Sequence, residues 1–197
     1  MKVVFLGHSY VRDLSRLGNE RIKVGTSLEA EISYLAFPGI KFSTFIENQG
    51  LLNFVFETQP EHLVVILGGN DFDNYRSLNE VKTSAEVFYR ILKNNLPNTR
   101  IYATQVETRF YTSGNHFDCP LPEVYKYVTN YFNKKLRKLP YVDNIICILG
   151  PGRLSNRDLF KADGVHLKLA GIRKLWDIVR TFLVKKICES QNAISRV

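Results

Sequence analysis

The segment His62-Leu63-Val64-Val65-Ile66-Leu67 constrains the fold of this chain more than any other. It is bounded by Pro60 on one side and Gly68-Gly69 on the other. It fits a strand covered on both faces, as in the middle of a parallel sheet. Strands are likewise predicted at Lys2–Leu6, Glu31–Phe37, Arg100–Gln105 and Asn144–Leu149. Between them the periodicity is helical. A short helix carries Val11, Leu14 and Leu17. Another runs from Lys41 to about Phe56, with Phe42, Phe45 and Ile46 at helical spacing and Gly50 interrupting. Ser77 and Glu80 have capping-box spacing and open a helix with a Val81, Ala85, Phe88, Leu92 stripe. A Tyr-rich helix with Val124, Tyr127, Val128, Tyr131 and Phe132 on one face is expected to pack that face into the core. The last helix carries Leu169, Ile172, Leu175, Trp176, Val179 and Leu183. Residues 107–120 read as an irregular loop. One domain is expected over residues 1–189, with residues 190–197 frayed. The alternation predicts an α/β fold with about five mainly parallel strands and helices on both faces.

In such folds ligands bind beyond the carboxyl ends of the strands. Gly7-His8-Ser9 follows the first strand, Pro38-Gly39 the second, and Gly68-Gly69-Asn70-Asp71 the third. Asp163-Gly164-Val165-His166-Leu167 precedes the last helix. A serine hydroxyl is too weak an acid to attack an ester unaided and needs a base within hydrogen-bond reach. His166 suits that role, because imidazole titrates near neutrality. Asp163, three residues earlier, can hold its tautomer and stabilise the imidazolium. Attack creates an oxyanion, for which the Ser9 and Gly39 backbone N–H groups and the Asn70 side-chain amide are the candidate donors. Gly39 keeps a Cβ out of the substrate's way. Each residue also has a plain alternative. Ser9 can cap the following helix, Asn70 and Asp71 can form a turn, and Asp163 can complement a helix dipole. Asp71 can support its loop. His8 is read as a structural histidine, and Arg109 and Arg153 as solvated.

Together, in this order, the four segments resemble the conserved blocks of the SGNH (also called GDSL) hydrolase superfamily. The resemblance runs from Gly7 to Leu167, and Asp-Gly-Val-His-Leu is its most specific block. It implies a flavodoxin-like three-layer α/β/α sandwich and metal-free ester hydrolysis, with no cofactor. By it Ser9, Asp163 and His166 match the triad, and Gly39 and Asn70 match the oxyanion donors. Two residues depart from the family pattern. His8 stands where the family has Asp beside the nucleophile, and Tyr10 replaces a small or aliphatic residue. The Gly-x-Ser-x-Gly elbow of α/β-hydrolases fails at Val11. The opening stretch also looks like the esterase domains of some eukaryotic retroelement proteins.

The expected activity is therefore that of a carboxylic ester hydrolase acting on small acyl, chiefly acetyl, esters of sugars or lipids. The rival reading is a basic binding module on the same fold. It draws on the net charge of +8, from 27 Lys and Arg against 19 Asp and Glu. Such a surplus attracts nucleic acid or an anionic membrane surface. The densest run, Lys134-Lys135-Leu136-Arg137-Lys138, reads equally as the solvated end of a helix. Cys119, Cys147 and Cys188 are scattered and form neither a zinc motif nor a disulfide framework. No apolar stretch reaches the roughly 20 residues of a membrane span. The Met1–Gly7 run is shorter than a secretory h-region, so an intracellular, cytoplasmic setting is expected.

Overall fold

Strand β1 (Lys2–Gly7) occupies the middle of the sheet and is buried from Val3 to Gly7. Its side chains alternate: Val4 and Leu6 join one core, Val3 and Phe5 the other. Strand β4 (His62–Ile66) does the same, with Leu63 and Val65 on one side and Val64 and Ile66 on the other. This is the burial on both faces that the aliphatic run predicts. The computed structural model describes residues 1–24, 28–75, 77–107, 109–110 and 122–194. Within them the sheet has six strands in the order β2 (Arg21–Val24), β3 (Leu28–Ala36), β1, β4, β5 (Arg100–Thr104), β6 (Asn144–Ile146). All neighbours are parallel except the β2–β3 pair.

Helices α1 (Ser9–Ser15) and α6 (Leu169–Ile194) cover one face, through Tyr10, Val11, Leu14, Leu175, Val179 and Leu183. The other face is covered by α2 (Phe42–Glu47), α3 (Gln49–Glu57), α4 (Leu78–Asn95) and α5 (Pro122–Leu136). An aromatic cluster of Phe42, Phe45, Phe88, Tyr89 and Phe132 fills that side. The result is the expected three-layer α/β/α sandwich. The capping box of α4 is formed in both directions: Ser77 Oγ accepts from the Glu80 N–H at 3.2 Å, and Glu80 Oε2 from the Ser77 N–H at 2.8 Å.

Four details differ from the sequence reading. The sheet gains the short antiparallel edge strand β2, whose exposed Arg21 and Lys23 alternate with buried Ile22 and Val24. The helix expected over 41–56 is two helices, divided at Asn48 rather than at Gly50. The Asn48 side chain caps α3 by accepting from the Leu51 N–H at 3.1 Å. The last helix continues past residue 189 to Ile194. In α5 the stripe expected in the core is largely on the surface: Val124 is 48% exposed, Tyr127 73% and Tyr131 42%. Phe132 is buried as expected, and Tyr125, Thr129, Asn133 and Leu136 are buried in place of the others. The loop expected at 107–120 lies mostly outside the described residues, as does Cys119. Cys147 and Cys188 are free thiols. No helix among the described residues is long and apolar enough to cross a membrane.

Candidate active site

The four segments gather at the carboxyl ends of β1, β3 and β4, and hydrogen bonds tie them to one another. The Phe37 N–H donates to the Gly7 carbonyl at 2.8 Å, setting the 37–40 turn beside the start of α1. Gly39 turns there with φ +79°, a conformation that favours glycine. Asn70 Nδ2 donates to the Ile40 carbonyl at 3.1 Å, linking that turn to the loop after β4. The wholly buried Asp71 accepts from the Phe42 N–H at 3.0 Å and so fixes the start of α2 to the same loop. Asp71 is thus a support for its loop.

The cap of α1 is His8, whose Nδ1 accepts from the Tyr10 N–H at 3.4 Å. Ser9 is the first helical residue, and its hydroxyl makes no hydrogen bond among the described residues, to His166 included. Its capping alternative therefore falls away. Tyr10, which replaces the family's smaller residue, has a task of its own. Its hydroxyl donates to the Val165 carbonyl at 2.7 Å, binding the residue after Ser9 to the residue before His166. Burial first, and then the nearby Glu107 carboxylate, raise its ionisation well above that of a free tyrosine, so it stays a donor.

Asp163 and His166 face each other across a tight loop. His166 Nδ1 lies 2.9 Å from Asp163 Oδ2. The other carboxylate oxygen accepts from the backbone N–H groups of Val165 and His166, both at 2.9 Å. Arg157 braces the approach, donating to the carbonyls of Phe160, Lys161 and Ala162 at 3.3, 2.7 and 3.0 Å. A bridge between Phe160 and Leu167 closes the loop at its base. The pair is only partly shielded, with His166 39% and Asp163 35% exposed. Partial burial resists ionisation of Asp163, but the two backbone N–H bonds and the His166 ring outweigh it and hold the carboxyl below its ordinary value of 3.8. The bonds hold the loop in shape fully above that value, and their contribution is lost as pH falls through the lowered one. A carbon-13 carboxyl titration by NMR is accordingly expected to place the Asp163 midpoint below 3.8. A midpoint at or above it would mean that the loop is not held as described.

The sequence reading of Arg109 as a solvated residue is corrected here, while Arg153 is exposed as expected. Arg109 is only 4% exposed and donates to Asn70 Oδ1 at 2.9 Å. Its Nε lies 3.7 Å from Glu107 Oε1, and its guanidinium sits 5.3 Å over the Tyr125 ring. Glu107 is itself buried, with Oε2 4.0 Å from His8 Nε2. Glu107 and Arg157 do not stand out in the sequence, which marks Tyr10 only as a departure from the family pattern. The one signal for them is position, just after strands or just before the Asp163–His166 loop. Among the described residues no group of three or more His, Cys, Asp or Glu side chains is arranged to hold a metal ion.

A site at this end of a mostly parallel sheet invites comparison with known acyl-transfer folds. A lipase/acylhydrolase from Enterococcus faecalis superposes with TM-score 0.67 at 15% identity, over 94% of this chain and 96% of that one. A carbohydrate esterase family 3 protein from Talaromyces cellulolyticus gives 0.63 at 14% identity, over 96% and 99%. A peptidoglycan O-acetylesterase gives 0.61 at 14% identity, over 84% of this chain and 48% of that one. At such identities the likeness is one of fold. No curated protein matches the sequence. The model of the GDSL-like lipase/acylhydrolase family matches residues 8–178, a stretch that includes Ser9, Gly39, Asn70, Asp163 and His166, and the chain belongs to that family.

Proposed function

We propose that this chain is a serine esterase that cleaves small acyl esters, acetyl esters above all, through an acyl-enzyme intermediate. The observation that carries the reading is the Asp163–His166 pair on a loop bonded through Tyr10 to the helix that begins at Ser9. With Nδ1 engaged by Asp163, the His166 imidazole presents Nε2 as base. Ser9 Oγ attacks the ester carbonyl carbon and passes its proton to His166. The Ser9 and Gly39 N–H groups and Asn70 Nδ2 bind the oxyanion. As the tetrahedral intermediate collapses, the C–O bond to the alcohol breaks and His166 protonates the departing oxygen. Water then repeats the sequence on the acyl-serine, releasing the acid and restoring Ser9. Ser9 and His166 share no hydrogen bond at rest, as is common in free enzymes, where such contacts tighten on binding substrate.

Two features favour an acetyl ester of a polar alcohol, such as a sugar or lipid headgroup. One is the likeness to a peptidoglycan O-acetylesterase and a carbohydrate esterase. The other is an open cavity of about 480 Å³ beside Arg109, lined also by Phe110, Glu123, Lys126 and Asn130. Arg109, Glu123, Lys126, Asn130 and Ser155 give a largely apolar wall the polar groups that a hydroxylated alcohol can meet. Hydrolysis of p-nitrophenyl acetate by the chain and by Ser9→Ala, with EDTA present, tests the proposal. Serine-dependent activity that falls as the acyl chain lengthens supports it. Equal background rates for both proteins would sink it.

The rival reading, a basic module that meets nucleic acid or an anionic membrane as in a retroelement esterase domain, draws support from the outer face of α5. Val124, Tyr127 and Tyr131 are exposed there, and Lys134 and the exposed Lys138 just beyond the helix continue the spacing. Lys135 sits 5.1 Å over the Tyr131 ring. Tyrosines with lysines suit a surface that is negative outside and apolar or stacked within. If the face is used, Lys134→Glu/Lys138→Glu is expected to weaken binding to anionic vesicles about 30-fold, at roughly 1 kcal/mol per lysine. Co-sedimentation at two salt concentrations, with single-stranded RNA as competitor, measures it. Unchanged binding in the double variant would remove α5 from consideration.

A further inference from the structure

We infer that Arg109 is the positioning residue of the oxyanion hole, acting through Asn70; the inference rests on the reading that Asn70 is an oxyanion donor. An asparagine amide can be placed two ways round, and only one presents an N–H to a developing negative charge. Here both ends are assigned by chemistry. The Ile40 carbonyl can only accept, and it meets Nδ2 at 3.1 Å. The Arg109 guanidinium can only donate, and it meets Oδ1 at 2.9 Å. The amide is therefore locked with its carbonyl toward Arg109, and the second Nδ2 hydrogen is left for the substrate.

The lock is itself held from behind. The Arg109 side chain is 3% exposed and that of Glu107 is 2% exposed, so the two charges share an almost dry site. Tyr125 lies beneath the guanidinium, and its hydroxyl donates to the Gly69 carbonyl at 3.2 Å. Gly69 gives the network its clearance. A Cβ there would stand 2.2 Å from Glu107 Oε1 and 3.0 Å from an Arg109 terminal nitrogen. The chain of contacts reaches back through Glu107 to His8, the residue before Ser9. His8 thus belongs to a buried network that joins the Ser9 and Asn70 segments. Burying such charges is costly even when they are paired. Arginine suits the task of holding Asn70 because its planar fork fixes direction as well as charge.

A double-mutant cycle on p-nitrophenyl acetate hydrolysis tests the inference. Asn70→Ala is expected to lower kcat by about 10²–10³-fold, as for loss of one oxyanion donor. Arg109→Ala is expected to lower kcat by about 10²-fold with KM changed by less than about 3-fold, because it loosens the same donor. Adding Arg109→Ala to Asn70→Ala is expected to cost almost nothing further. Arg109→Gln, whose amide can still donate to Oδ1, is expected to recover part of the loss. Millimolar guanidinium is expected to raise kcat of Arg109→Ala and not of Asn70→Ala, which a merely misfolded variant would not do. Losses that multiply in the double variant, or an Arg109→Gln no better than Arg109→Ala while both keep the parental near-ultraviolet circular dichroism, would overturn the inference. An Asn70→Ala variant with parental kcat would instead overturn the oxyanion reading beneath it.

Discussion

Ser9→Ala is expected to lower kcat for p-nitrophenyl acetate by about 10⁴–10⁶-fold, the range found when one residue of a triad is removed. The residue that remains cannot form the acyl-enzyme, so the variant also loses labelling by a serine-directed phosphonate. What survives is the polarising effect of the oxyanion donors on direct attack by water, roughly 10³–10⁴ above the uncatalysed rate. The loss is kinetic and not structural. The Ser9 hydroxyl makes no hydrogen bond among the described residues, and the cap of α1 is His8. Stability is accordingly expected to change by no more than about 0.5 kcal/mol. A thermal melt beside the assay separates the two: an unshifted midpoint with activity gone identifies the nucleophile. An unshifted midpoint with activity intact would show that hydrolysis occurs elsewhere.

Gly7→Ala is expected to have the largest effect on stability, about 3–5 kcal/mol, in the upper range of single substitutions. A Cβ at Gly7 would lie 2.1 Å from the Ile66 carbonyl oxygen and 2.9 Å from its carbonyl carbon. Both atoms are backbone, in the strand paired with Gly7 at the centre of the sheet. No rotamer change relieves such a contact. Either β1 and β4 separate, with the loss of the His8 N–H bond to the Ile66 carbonyl, or Ser9 is displaced. At about 2–4 °C per kcal/mol for a chain of this length, the melting midpoint falls by roughly 10 °C. Gly39 differs in kind. Nothing lies within 4 Å of a Cβ there, and only its φ of +79° resists a side chain. Gly39→Ala is therefore the milder change, a strain of order 1 kcal/mol. A Gly7→Ala protein that melts with the parent would mean that β1 and β4 are not paired as described.

Much of this molecule is legible in its sequence where one residue's surroundings are set by its neighbours in the chain. The aliphatic run at 62–67 reports burial on both faces, and Ser77 with Glu80 reports a helix start. The Asp163–His166 pair is legible for the same reason, because three residues of tight loop bring the two side chains together. The face of α5 is not. Counting apolar residues selects Val124, Tyr127 and Tyr131, yet the helix buries Thr129 and Asn133. Asn133 accepts from the Val106 N–H at 2.8 Å and donates to the Val106 carbonyl at 3.1 Å. Thr129 donates to the Tyr125 carbonyl at 2.8 Å. Polar residues satisfied in this way enter a core at little cost. The burial of Arg109 is illegible for a related reason. Its partners Asn70, Glu107 and Tyr125 come from three segments that only the finished fold brings together. Strand β2 is too short and too charged to stand out, since its pairing with β3 rather than its composition makes it a strand.

The bond from Tyr10 to Val165 spans 155 positions of the chain. A polypeptide growing from its amino end makes the Ser9 segment well before the His166 segment. No fragment ending before that loop holds both halves of the proposed machinery. The proposed serine and its proposed base therefore come together only after all six strands of the sheet have been made. A chain cut before that loop would carry the proposed serine without its proposed base.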